Sequence, residues 1–577
     1  IGTAVASKAV VLDANKDYTG IRNFTITGEL DAATLDISGD VDIDGTTNLD
    51  VVDVDGATNF GADVTFAAGT DLITATAGTN NIRIGENAGN TIASGGDNNV
   101  TIGADAGTAI TTGTRNIAIG TNSLKTEDAH GKNIAIGHNA LEDLNAGGDG
   151  HNVAIGDLAA RNVTTGTENV IIGSGAATSL TTGDRNVAMG RTSLQLDTAG
   201  ERSVAVGYGT LTNQNHTTAD TQAYNTAVGY ATGNDITTGI QNTFVGALAG
   251  DQINDADYNV AVGVHALGAD TLGSRSTALG YQTLYTQNFT TATDSYNTAT
   301  GYQAGYGITT GTQNTLSGGF AGYAITTGVG NVIMGYATGD ALTDADFNVA
   351  IGATALTSDT KGSRSVAVGY AALTMQNFTT ATSNYNVAVG YGAGENTTTG
   401  IYNTLIGGLA GQQITTGQNN VLMGVATGDA LQGGNQNTAL GRNSLTTDVE
   451  GIDSTAVGYA TLVNQNFTTA TNSYNTAVGS QAGNDITTGI RNTLLGGVAG
   501  DALTDADYNV AVGMNALTTD TLGSKSTAIG YAALQNQNYT TATNSENVAV
   551  GGYALDANTS GGPNNAVGYS SLGANTT

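Results

Sequence analysis

The sequence predicts an all-β chain built as an elongated parallel β-solenoid, or β-roll, of coils about 17 residues long. Three observations predict it. A five-residue unit recurs 28 times between Gly85 and Gly568, most copies lying 17 residues apart. The unit is Asn or Ser, an apolar residue or Thr, usually Ala, then Val, Ile, Leu or Met, then Gly. Glycine supplies 84 of 577 residues, roughly twice the usual share of about 7%. A hydrophobic fraction of 39% is more than a disordered low-complexity tract carries.

The unit reads as a short strand closed by a turn. Asn116-Ile117-Ala118-Ile119-Gly120, Asn259-Val260-Ala261-Val262-Gly263 and Asn509-Val510-Ala511-Val512-Gly513 are clear copies. Side chains alternate across a strand, so the two branched positions share one face and the Ala takes the other. The branched face is expected to point into the coil and the Ala outward, toward a closely packed surface. The Gly permits a positive φ. The leading Asn tolerates turn geometry or stacks from coil to coil as an Asn ladder.

Interior filling follows a second rule. Many coils place Leu four residues after the Gly (Leu124, Leu141, Leu267, Leu356, Leu517), with a polar residue at position seven, as at Glu127, Asp270, Asp359 and Asp520. Others have Gly at position four and an aliphatic residue at seven: Gly233 with Ile236, Gly305 with Ile308, Gly339 with Leu342, Gly483 with Ile486. Each coil thus offers one large plug, because voids and overpacking both cost stability. Thr397 departs from the rule. Stacked at roughly 4.8 Å, the coils make a rod on the order of 130 Å long, stable only as a stack.

Two regions are expected: residues 1–76, a β-rich shaft or attachment segment, and residues 77–577, the repetitive array. Leu35 to Gly45 alternates apolar and acidic residues as an amphipathic strand does. Val51 to Gly56 and Phe60 to Phe66 continue the pattern. The chain opens Ile1-Gly2-Thr3, so residues are expected to precede it.

Charge narrows the partners. The 17 basic and 49 acidic residues give a net charge of −32. Nucleic acid needs clustered Lys and Arg, and none are clustered here. No run of 18 apolar residues occurs, so membrane insertion is not expected. The chain has no Cys, hence no disulfides or thiolate metal sites.

The Asn-x-Ala-Val-Gly units resemble the head repeats of trimeric autotransporter adhesins, best at Ser203 to Gly207 and Ser365 to Gly369. Asn225 to Tyr230 and Asn475 to Gly479 resemble repeats of bacteriophage tail fibres, and residues 8 to 66 resemble shaft segments of such fibres. The resemblance spans about residues 81 to 568. It implies a left-handed β-roll and a homotrimer, intertwined or side by side. The Asn in place of the adhesin Ser, the long coil, and the lack of a coiled-coil stalk and membrane barrel favour the phage side. Fibres of that kind often end in a self-cleaving chaperone, and none is visible before Thr577.

Candidate sites follow from departures in the period. Five spacings lengthen to 21 or 22 residues, adding segments centred on His216, Phe289, Phe378, Phe467 and Tyr539. Insertions in solenoids become loops on one face, often the binding face. An aromatic flanked by Asn and Thr suits carbohydrate, with the ring stacking on a host surface glycan. The competing reading packs these rings between protomers. The Tyr series after the glycines (Tyr230, Tyr302, Tyr391, Tyr459) reads as a structural ladder. Asp40 to Gly45 matches the opening of a calcium loop, but Val51 stands where the bidentate Glu belongs, and strand alternation explains the acids. The turns at Asp255/Asp257, Asp344/Asp346 and Asp505/Asp507 read as solvated, since they lie several coils apart.

No catalytic motif occurs and the five His residues are scattered, so no enzyme activity and no cofactor or metal are expected. A carbohydrate-degrading solenoid needs clustered carboxylates, and an ice-binding one needs a Thr-x-Thr ladder that the Thr-Thr-Gly turns do not supply. The expected function is a structural fibre of a bacteriophage virion, attached to other virion proteins through its N-terminal region and reaching the host surface. The alternative is the head of a bacterial trimeric surface adhesin.

Overall fold

The structure is a computed structural model that describes residues 76–576 together with Thr25 and Thr27. The chain divides into two compact units, Ile1–Asp71 and Leu72–Thr577. The N-terminal strand pattern and the acidic Asp40 to Gly45 stretch lie outside the described residues.

The second unit is a parallel β-solenoid of coils about 17 residues long, with no helix among the described residues. Each coil contributes one three-residue strand, from Ile82–Ile84 to Asn565–Val567, to a 28-stranded sheet. Every pairing is parallel and in register, as in Val260↔Thr277, Ala261↔Ala278 and Val262↔Leu279. Equivalent positions therefore form columns along the rod. Five smaller parallel sheets flank the main one, each pairing two dipeptides: Gly200–Glu201 with Thr221–Gln222 is the first, Gly523–Ser524 with Thr543–Asn544 the last.

The strand faces are the reverse of the sequence expectation. The middle residue points inward: Ala118, Ala261, Ala367 and Ala511 are fully buried. The flanking branched residues point outward and are half-buried. The reason is volume. The interior is already filled from positions four and seven, where Leu124, Leu267, Leu356, Ile236, Ile308 and Ile486 are all fully buried. Only a methyl group fits opposite them.

The exceptions confirm this account. Phe244, Leu316 and Leu405 replace the middle Ala and are buried, and position four is Gly both in their own coil and in the one before. A Cβ on Gly250 would lie 2.8 Å from the Phe244 ring, and one on Gly305 or Gly394 would lie 2.6 Å from Leu316 or Leu405. Thr397 falls in this group. Ile236 and Ile308 hold position seven beside Phe244 and Leu316, so nothing in the structure explains the smaller residue at Thr397. Its hydroxyl is buried without a hydrogen-bond partner. Thr397→Val removes that unpaired group at constant shape and is expected to stabilise the rod by about 1 kcal/mol, read as a higher urea midpoint.

An Asn column runs through the stack. Asn259 donates its backbone N–H to Asn242 Oδ1 at 2.9 Å, and its own Oδ1 accepts from Ser276 N–H at 2.8 Å. Its Nδ2 donates to the Gly273 carbonyl at 2.9 Å. These side chains are fully buried, and each pairs groups that the turn would otherwise leave unsatisfied. Corners are made by left-handed residues, including non-glycines such as His265 (φ 56), Leu267 (φ 54) and Arg275 (φ 61). The sequence gives no sign of these corners, since L-residues seldom adopt this region.

Candidate functional site

Each inserted segment is built on a buried carboxylate. In the second copy, Asp270 Oδ1 accepts the backbone N–H of Gly273 at 3.0 Å and of Phe289 at 3.2 Å. Asp270 Oδ2 accepts from Gln287 Nε2, which stands at the same position one coil on. Gln287 Nε2 also donates to Ser276 Oγ at 2.7 Å, and Gln287 Oε1 accepts from Asn297 Nδ2 at 2.8 Å. The Ser copies are thus where Gln relays the Asn column across the insertion. The same Asp-to-Gln bond recurs at Asp197 with Gln214, Asp359 with Gln376, Asp448 with Gln465, and Asp520 with Gln537. Burial pushes the Asp270 and Asp448 carboxyls up, against the lowering pull of these hydrogen bonds.

In the second and fifth copies the ring of the insertion closes over the glycine that follows the Asp. A Cβ on Gly273 would lie 2.6 Å from the Phe289 ring, and one on Gly523 would lie 2.8 Å from the Tyr539 ring. Phe289, Phe378, Phe467, Tyr539 and His216 are all 4–8% exposed. The five candidate ligand residues are thus nearly enclosed by their own chain. The exposed part of each insertion is the Thr-Thr pair that follows, as at Thr290 and Thr291.

His216 differs from the other four. Its Nε2 is buried without a partner, and burial pushes its imidazole below the usual value, against the carboxylates of Asp197, Asp255 and Asp257. A His with a lowered folded pKa leaves stability intact above the unfolded value of 6.5 and loses it as pH falls through that region. The first insertion is therefore expected to loosen as pH falls below 6.5, with His216→Phe removing the effect. Amide exchange of residues 217–224, corrected for intrinsic rates, reads both.

Outside the insertions, the outward face of the sheet is aliphatic. The third residue of every strand is Val, Ile, Leu or Met except at Thr300 and Ser317, and the first is Val, Ile or Thr except at Asn565. Val262, Ile351, Val478 and Ile529 are 36–39% exposed. No ionisable residue occupies either column on a chain of charge −32. Beside it, the tyrosines after the glycines stack in part as a ladder. Tyr208 with Tyr230, Tyr281 with Tyr302, and Tyr370 with Tyr391 pair at 5.4–5.5 Å with interplanar angles of 8–13°.

The remaining polar groups are less organised. A groove of about 550 Å³ beside the first insertion is lined by Asn213, Asp235, Asp251 and Asn254 among others, and burial pushes the Asp251 carboxyl up. Glu127, Asp128 and His130 bring potential ligand atoms within 4.8 Å of one another. The Glu127 oxygens already accept the His130 and Ala146 N–H groups, as the Asp of an insertion does.

What these features define is a repeat rod with one aliphatic face. No family model and no curated protein matches the chain.

Proposed function

We propose that the chain is a structural fibre protein of a bacteriophage virion, a homotrimeric tail or appendage fibre that extends toward the host surface and contacts it. Its N-terminal region joins other virion proteins, and it carries out no catalysis. The observation that carries the reading is the uncharged aliphatic face running the length of the sheet. A face of roughly 130 Å by about 10 Å offers on the order of 1,300 Å² per chain, above the roughly 800 Å² per partner of a stable interface. Acids confined to the other surfaces keep the assembled rod soluble. The adhesin-head alternative shares this assembly, and the Ser203 to Gly207 copy is what favours it.

Sedimentation equilibrium tests the assembly. The expected mass is three times 57.6 kDa. The combined variant Val262→Asp, Ile351→Asp, Val478→Asp and Ile529→Asp is expected to sediment as a monomer with an unchanged β-type circular dichroism spectrum. Each substitution would bury an unpaired charge in the interface. A wild-type monomer at micromolar concentration would remove the trimer from the proposal.

A further inference from the structure

We propose that one edge of the rod, formed by the residue preceding the Asn or Ser of each repeat, is a binding surface for an uncharged polysaccharide. This inference rests on the host-contact part of the function proposed above and names its site and ligand class.

Three triads on that edge carry the argument, each an Arg held between two rings from adjacent coils. The Arg275 guanidinium lies 5.1 Å from the Tyr258 ring centre and 5.8 Å from that of Tyr296. Arg364 lies 5.6 Å from Phe347 and 5.7 Å from Tyr385. Arg491 lies 5.8 Å from Tyr474 and 5.2 Å from Tyr508. All six rings are 43–53% exposed, unlike the buried rings of the insertions. They sit at left-handed corners, as Tyr258 (φ 60) and Tyr296 (φ 51) do, which turns the side chain away from the coil.

The chemistry of this column is unlike that of its neighbours. From Arg185 to Lys525 it holds cations, aromatic rings, amides, Gly330 and Asp453, and no aliphatic residue. The strand position two residues further on is Val, Ile or Thr, and the one four residues on is almost wholly aliphatic. Arg and the coil neighbours cover the ring faces, as Arg364 and Tyr402 do for Tyr385, so the rings turn edges and phenol groups outward. With the guanidinium, amide and carboxylate groups between them, these suit the hydroxyls of a sugar chain.

Charge selects the ligand class. Each triad carries one acid directly before a ring: Asp257 before Tyr258, Asp346 before Phe347, Asp507 before Tyr508. Arg275 is also ion-paired with Asp294. One cation balanced by at least one acid leaves nothing over for an anionic polymer. The triads stand five and seven coils apart, about 24 and 34 Å, so one long chain lying along the rod reaches all three and multiplies a weak contact.

The test is a printed array of purified bacterial surface polysaccharides, uncharged and acidic, probed with the full chain. The variant replaces the six rings with Gln, a residue that already occupies this corner at Gln313 and Gln436 with φ 60. The expected result is wild-type binding to one or more uncharged polysaccharides, lowered about tenfold or more in the variant at unchanged sedimentation. Binding to none, to acidic polymers only, or equally by the variant would overturn the proposal. Should the variant misfold, hydroxyl-radical footprinting of the wild type on the same array decides: protection of the six rings upholds the site, and protection elsewhere or nowhere refutes it. A wild type that binds nothing while residing on virions refutes this inference alone.

Discussion

Gly263→Ala is expected to break the stack at a single rung. Gly263 has φ 134, and a Cβ there would lie 2.3 Å from the carbonyl oxygen of Gly280 in the next coil. That neighbour is backbone and cannot rotate away. Strain in a glycine-only region and overpacking against a fixed group each cost about 1–3 kcal/mol, so the sum is on the order of 3–5 kcal/mol. Stability in a solenoid is largely a nearest-neighbour property. The damage should therefore stay local, with amide exchange accelerated at Val262 to Leu279 and little changed twenty coils away. An equal loss along the whole rod would mean that the coils unfold as one cooperative unit.

Asp359→Ala carries the second large effect. The carboxylate accepts the N–H of Gly362 at 3.0 Å, the N–H of Phe378 at 3.0 Å and Gln376 Nε2 at 2.6 Å. All of these residues except Phe378 are fully enclosed, and Phe378 is 7% exposed. Alanine leaves three buried donors without an acceptor at about 1–3 kcal/mol each, partly relieved by relaxation, for a total on the order of 3–5 kcal/mol. Asp359→Asn should cost less. Its Oδ1 can still serve Gly362 and Phe378, while its amide N–H₂ faces that of Gln376. Limited proteolysis within residues 378–386 reads the order, with the alanine variant cleaved fastest and the wild type slowest. Equal rates for alanine and wild type would show that the carboxylate does not anchor the insertion.

Much of this architecture was legible in the residues. The period, the short strands, the closing glycines and the Leu or Ile plugs all follow from spacing, because a solenoid repeats its constraints at every coil. Facing was not legible. Ala flanked by branched residues alternates equally well with either side inward, and only the volume taken by positions four and seven decides it. Asp270, Asp359 and Asp520 read only as polar residues at position seven, because a lone carboxylate is rarely buried. A usable signal was present: Asp-x-x-Gly just before each Ser copy, with Gln at the same position one coil later. It would have placed the acid inside, hydrogen-bonded, and the following aromatic over the glycine. The Arg and Tyr edge went unnoticed because its residues lie 17 to 21 apart and meet only when the coils stack.

The exposed aliphatic face and the aromatic edge are two different surfaces of the rod, the first proposed for its own copies and the second for a ligand. Which particle carries that rod is the central question. Immunogold electron microscopy of the native source, with an antibody raised against residues 77–577, answers it most directly. Label along thin fibres projecting from phage particles is the predicted result. Label on bacterial envelopes, with phage particles bare, would contradict the account and make the chain an adhesin head.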